Sequence, residues 1–311
     1  MRRVVVIGAG FFGRVIARRL ADVGITPVVA SRKHGELRLD VADSGSIMAG
    51  LRPGDVVVDT AGPFQERTTA LVEAAIELGC DVIDLSDSLG YARAVLALHD
   101  RSVAKGVRIF TSCSAIATVA ASAIRASENA APETCDLFLA PASADTGNPA
   151  TVRAFLASVD WSRSREFPAD RRRGYRVESA AAVMLPRSWP SLRWVDFWVD
   201  PNAPFAAKSI ALASRLGLTS ALSAVAPLSA RLLGRREGSF SIATSEAGRY
   251  TLTRLSAPRG SYLIAAEPAV IAAESLARGI ASPPGVVPAD KQVDPETLFD
   301  RLRALGVDVR T

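Results

Sequence analysis

Cysteine and histidine are scarce in this chain of 311 residues, with three of the former and two of the latter. Cys80, Cys113 and Cys135 form an odd, widely spaced set with no C-x-x-C, which argues against both a disulfide framework and a zinc site. A reducing cytoplasm fits such a set. Long apolar runs are missing too. The uncharged stretch 216–230, between Arg215 and Arg231, is too short to span a bilayer. The apolar start is broken by glycines after Val4-Val5-Val6-Ile7 and followed by Arg14, Arg18 and Arg19, so no secretory signal is read there. Aromatics make up 6% of the residues and do not interleave with the basic ones. The formal charge of +5 therefore points away from nucleic acid and toward a small anionic ligand on an otherwise solvated surface.

What is present is a globular composition, 49% hydrophobic and 22% charged, long enough for one large domain or two ordinary ones. The first 130 residues repeat a unit of helix, glycine and strand, with Gly24, Gly54, Gly79 and Gly106 each closing a helix before an apolar run. Those runs (VVVI, PVVA, VVV, VID, VRIF) are short and β-branched, as strands are when helices cover both faces of a parallel sheet. The expected class is α/β: a Rossmann-type doubly wound parallel sheet over 1–128. A second, smaller α+β domain with a mixed or antiparallel sheet is expected over 129–270. It holds a strand near 135–140, a helix near 150–159, and a hairpin of 240–244 with 250–255. The remainder, 271–311, is expected to carry C-terminal helices and to return to the first domain.

The glycines Gly8, Gly10 and Gly13, with Phe11 and Phe12 between them, sit where a strand would turn into a helix. The first permits the turn, the second admits a pyrophosphate to backbone N–H groups, and the third lets helix and strand pack closely. A purely structural turn is the plainer alternative. An NAD-binding chain carries a carboxylate at the end of the second strand for the ribose 2′-hydroxyl. This one reads Ser31-Arg32-Lys33, a hydroxyl and two cations suited to a 2′-phosphate. One such charged pair at about 1.5–3 kcal/mol predicts a roughly ten- to hundredfold preference for NADP(H).

Three further strand ends point into the same crevice. Asp40-Val41 is placed for the adenine edge, Thr60-Ala61-Gly62-Pro63-Phe64 for the nicotinamide ribose, and Ser86 stands in the third. Candidate proton donors are Asp87, Tyr91 and Cys113, just beyond strand ends. Their plainer readings are a helix cap, an amphipathic ring and an inert buried thiol. His34 lies beside the phosphate loop and His99 inside a helix, so neither is a natural acid near a nicotinamide. Arg172 and Arg173, in the basic run 163–176, are candidate anchors for a carboxylate or phosphate of the substrate, with a solvated loop as the alternative. The segment 212–233, apolar on nearly every side, reads as a buried or dimer-interface helix, or as a lipid-contacting one.

The set Gly8 to Gly13, Ser31-Arg32, Asp40-Val41, Asp59-Thr60-Ala61-Gly62-Pro63-Phe64 and Cys80-Asp81-Val82-Ile83-Asp84-Leu85-Ser86-Asp87 resembles the NADP-binding domain of the saccharopine dehydrogenase-like family. The resemblance covers roughly the first 120 residues. It implies NADP(H)-dependent oxidation or reduction of C–N bonds in amino-acid or amine adducts. A related branch that reduces C=C bonds of lipid-like substrates is the alternative, and a non-catalytic NADP(H)-binding sensor a third. It also implies a homodimer formed through the second domain.

Overall fold

The structure is a computed structural model, and it describes residues 1–127, 129–167, 172–202, 234–280 and 282–311. The first half builds the expected alternation: β1 (Val4–Ile7), α1 (Phe11–Asp22), β2 (Val28–Ser31), β3 (Leu37–Arg38), α2 (Ser44–Gly50), β4 (Val56–Asp59), α3 (Ala70–Leu78), β5 (Asp81–Asp84), α4 (Leu89–Leu96), α5 (His99–Ala104) and β6 (Arg108–Phe110). After a π-turn, Ala115–Val119, come α6 (Ala120–Ala126), β7 (Thr134–Ala140), α7 (Ser143–Thr146) and α8 (Pro149–Ser158). Then follow β8 (Val159–Glu166), β9 (Arg173–Val177), α9 (Ala181–Ser188), β10 (Trp194–Val199), β11 (Gly238–Glu246) and β12 (Arg249–Ala257). The chain closes with α10 (Leu263–Ala277), β13 (Gly285–Val286), α11 (Pro295–Ala304) and β14 (Asp308–Arg310).

The first sheet is parallel throughout, in the order β13-β6-β5-β4-β1-β2-β3. Its first six strands have the order 3-2-1-4-5-6 of the doubly wound dinucleotide fold. The physical cause is in the strands themselves. Val4, Val5, Val6 and Val56, Val57, Val58 are all essentially inaccessible, because helices cover both faces. Strand order reverses between β1 and β4, so the carboxyl ends of these two strands diverge into a crevice.

The second sheet has the order β14-β12-β11-β7-β10-β9-β8, antiparallel except between β7 and β10. Its inner face, with Leu137, Phe197, Phe240 and Ile242, continues the core that lies against one face of the first sheet. The hairpin β11–β12 is longer than the alternation predicts, and β8, β9 and β10 form in the Arg- and Trp-rich stretch where no strands are expected from the sequence.

The C-terminal segments alternate between layers. Helix α10 packs on α1, β4 and β5, and β13 adds to the edge of the first sheet beside β6. The last strand, β14, pairs with β12 in the second sheet instead of returning to the first domain. The place beside β6 is already taken by Gly285–Val286. The apolar segment 212–233 and residues 168–171 of the basic run lie outside the described residues.

Candidate active site

The carboxyl ends of the first sheet and the inner face of the second enclose a cleft of about 1250 Å³. That exceeds the roughly 300–1,000 Å³ of ordinary small-molecule sites and leaves room for a dinucleotide together with a substrate.

At its floor is the glycine turn. Gly8 has φ +109°, and Thr60 fixes the turn by donating its hydroxyl to the carbonyl of Ile7 at 2.9 Å. Gly10 caps α1 without any side-chain bond, and a β-carbon there would meet nothing within 4 Å. The first-turn N–H groups of α1, which have no intrahelical partners, are thus open to an anion in the cleft. Gly8, Gly10, Phe11 and Phe12 all line the cleft; Gly13 does not, being packed against Gly8.

At one end, Ser31 accepts from the His34 N–H at 2.8 Å and donates back to the His34 carbonyl, closing a tight turn. Its hydroxyl proton serves the turn. Arg32, Lys33 and His34 are exposed around it and line the cleft together with Asp40 and Val41. Asp40 accepts from the Ala42 N–H at 3.0 Å, and its own N–H donates to Ser46 Oγ at 2.9 Å.

At the other end the loop Thr60-Ala61-Gly62-Pro63-Phe64, with a cis Gly62–Pro63 peptide, lines the cleft as a block. Behind it Arg67 donates from Nη1 to both oxygens of Asp59, at 3.0 and 2.8 Å, and to the Ala61 carbonyl at 2.9 Å. The Arg67 guanidinium lies over the Phe64 ring, 5.3 Å from its centroid. Ser86 is not in the cleft. It is fully buried, donating its N–H to Asp84 Oδ1 at 3.0 Å and accepting from the Ser88 N–H at 3.1 Å.

Of the three candidate proton donors, Asp87 alone lines the cleft. It is not a helix cap, for Ser88 fills that role by accepting from the Tyr91 N–H. Asp87 Oδ1 accepts from Gln65 Nε2 at 3.0 Å. Burial raises the Asp87 carboxyl above the usual carboxylate range, and the Gln65 bond partly opposes this. Tyr91 packs under Phe64 with its hydroxyl buried and unpaired, and burial, then Asp84 and Asp59, push it well up. Cys113 has no exposure and its thiol is likewise pushed up by burial, so as a thiol it is inert. Nearby, burial pushes Asp84 up to about 6 although the Ser86 and Ser112 N–H groups donate to it.

The far half of the cleft is walled by Leu139, Phe155, Leu156, Val177, Phe197 and Val199. Its described lining residues between 114 and 265 carry no charged side chain. Arg172 and Arg173 are not among them. Arg172 is spent on Asn202 Oδ1 at 2.8 Å and on Glu237 at 3.2 Å, and Arg173 is exposed at the start of β9. The structure adds lining residues that sequence reasoning missed: Gln65, Arg67, Ser114 and Tyr262. Only Gln65 and Arg67 carried a signal, as polar residues just beyond the Thr60-to-Phe64 stretch. Ser114 opens the π-turn at 9% exposure without a capping bond, and Tyr262 reaches the glycine helix from α10, its ring 4.9 Å from that of Phe11.

Solved structures with a similar course of chain include the amine dehydrogenase of Mycobacterium smegmatis. It is 12% identical with a TM-score of 0.53, over 93% of this chain and 95% of that one. The DAP dehydrogenase of C. glutamicum, solved with DAP, is 14% identical with a TM-score of 0.47, over 97% of this chain and 98% of that one. At 12% identity the likeness to the amine dehydrogenase is one of fold. No curated protein matches the sequence significantly. Residues 4–110 match the family model described as the saccharopine dehydrogenase NADP binding domain. The glycine turn, the strand order and the cleft agree with that match, and residues 4–110 are similar to that nicotinamide-dinucleotide-binding dehydrogenase domain.

Proposed function

We propose that the protein is an NADP(H)-dependent oxidoreductase that transfers hydride at the C–N bond of an amine bearing apolar substituents. The observation that carries this reading is Asp87, a carboxyl lining the cleft beside Gln65, while the described lining from residue 114 on is uncharged and largely apolar. In this reading the start of α1 holds the pyrophosphate, Arg32 and Lys33 the 2′-phosphate, Asp40 and Val41 the adenine, and Thr60 to Phe64 the nicotinamide ribose. When bound, the dinucleotide supplies or accepts the hydride.

The protein's own share is orientation and proton handling. The Asp87 carboxylate pairs with the substrate ammonium and takes one of its protons, leaving a neutral amine able to lose hydride from the neighbouring carbon. In the reverse direction the iminium carbon accepts hydride, and Asp87 returns a proton to nitrogen. The apolar walls keep water from the iminium, which would otherwise hydrolyse. An amine dehydrogenase of similar fold, at 12% identity, is in keeping with this choice. The same walls favour a second reading, reduction of a conjugated C=C bond in a lipid-like substrate.

One experiment separates the two. The protein is incubated with NADPH deuterated at either C4 position, in an ammonium-supplemented metabolite and lipid extract, and products gaining deuterium are located by mass spectrometry. The amine reading expects deuterium on a carbon bonded to nitrogen, lost in the Asp87→Asn variant. Deuterium on a former alkene carbon, undiminished in that variant, selects the second reading. NADPH binding without label from either diastereomer would leave a sensor.

A further inference from the structure

Asp59 and Arg67 form an ion pair with side-chain exposures of 0% and 10%, beneath the loop that reading assigns to the nicotinamide ribose. The pair grips one residue from both sides. Ala61 donates its N–H to Asp59 Oδ1 at 3.0 Å, and its carbonyl accepts from Arg67 Nη1 at 2.9 Å. Both hydrogen-bonding groups of Ala61 are therefore tied back into the protein. The Gly62 N–H is also used, by the Thr60 carbonyl at 3.0 Å. What Ala61, Gly62 and Pro63 then offer the cleft is a fixed, largely apolar surface. The guanidinium cannot drift, since it lies over the rings of Phe64 at 5.3 Å and Tyr91 at 6.0 Å.

A buried ion pair is a costly way to stabilise a fold, and hydrophobic replacements often do as well. Its justification here is positional. We infer that Arg67, acting through Asp59 and Ala61, is a positioning residue that sets the surface against which the nicotinamide half of the cofactor lies. The inference rests on the cofactor reading above. Lysine is not an equivalent, because it lacks the planar guanidinium that lies over the Phe64 and Tyr91 rings and so fixes Nη1 between Asp59 and the Ala61 carbonyl.

The test compares two probes: NADPH, and 2′-phospho-ADP, which lacks both the nicotinamide and its ribose. Binding of each to the wild-type chain, Arg67→Lys and Arg67→Ala is measured by calorimetry, with the fluorescence of bound NADPH as a readout of the ring's surroundings. Arg67→Lys is expected to weaken NADPH about tenfold, one charge-assisted hydrogen bond's worth, and to reduce the fluorescence change. Its affinity for 2′-phospho-ADP is expected to stay within about twofold, since the groups that hold that probe are untouched. Arg67→Ala exposes Asp59 as an unpaired buried charge, and if it fails to fold, Arg67→Lys decides. Equal weakening of both probes, or of neither, overturns the inference while leaving the cofactor reading standing. A wild-type chain that binds neither probe overturns that reading and the inference together.

Discussion

A β-carbon on Gly13 would lie 1.7 Å from the carbonyl oxygen of Gly8, while one on Gly10 would lie in open space. The two glycines of one motif thus answer to different demands, and substitution separates them. Gly13→Ala forces α1 away from β1 and is expected to cost about 3 kcal/mol or more in stability. Gly10→Ala is expected to melt with the wild type yet bind NADPH about tenfold more weakly, since its methyl occupies the space for the phosphates. Thermal melts and NADPH titrations on both variants check this. Unchanged binding by Gly10→Ala would count against a pyrophosphate at this turn.

Arg32 and Lys33 are exposed beside the Ser31–His34 turn, so their removal leaves the fold alone. The double variant Arg32→Ala, Lys33→Ala is expected to lose about ten- to a hundredfold in NADP+ affinity, with NAD+ changed by less than about twofold. Calorimetry with the two dinucleotides measures both. A parallel loss for both would mean the loop supports the adenosine, not a 2′-phosphate.

Burial places the folded-state pKa of Asp84 near 6, above the ordinary 3.8, so the folded chain holds a proton that the unfolded chain releases. Stability from this group is therefore greatest below pH 4, falls with a slope of up to about 1.4 kcal/mol per pH unit between pH 4 and 6, and is level above. Asn at this position keeps an acceptor for the Ser86 and Ser112 N–H groups and cannot ionise. Asp84→Asn is expected to be at least as stable as the wild type at pH 8 and to show a smaller change in Tm between pH 5 and pH 8. A lower Tm at both would show that the hydrogen bonds to the carboxylate outweigh the cost of burying it.

Gln65 donates to Asp87 and, at 3.3 Å, to Ser158 Oγ at the end of α8. Its bond to Asp87 holds that carboxyl below the level burial alone would set. If the carboxylate is the working form, Gln65→Leu raises the Asp87 pKa and moves the acid limb of the rate profile to higher pH. A profile that stays in place while the rate falls would assign Gln65 to α8 instead.

The first domain was readable because a buried parallel strand announces itself as a short β-branched run, as VVVI and VVVD do. The second sheet was only half readable. Strand β8 is an edge strand whose residues from Ser162 on are exposed, so Ser-Arg-Ser-Arg-Glu has no apolar face to show, and β9 pairs with it through two more arginines. The cofactor loops could be read from glycine and proline spacing. The place of Arg67 just beyond them could be noticed too, but not its role, which depends on a buried partner eight positions earlier that looks, in sequence, like the end of a strand. Arg172 misled for the converse reason. A dense basic run looks like an anion site until Asn202 and Glu237, remote in sequence, are found beside it.

Helix α8 lines the cleft with Ala154, Phe155 and Leu156, yet none of its residues is buried. Asn148 caps its start, and Ser158 at its end meets Gln65. The two sheets, by contrast, are joined by a chain that passes from β12 to α10 and β13 and back to β14. Such stitching resists a jaw-like opening of one domain from the other. Hydrogen exchange is expected to be fast in α8 and to slow when NADPH and an apolar amine are both present, with α10 protected throughout; uniform protection of α8 in the empty protein would refute this. On that outcome α8 acts as a flap over two stitched sheets, and entry of the substrate supplies the interior that α8 lacks.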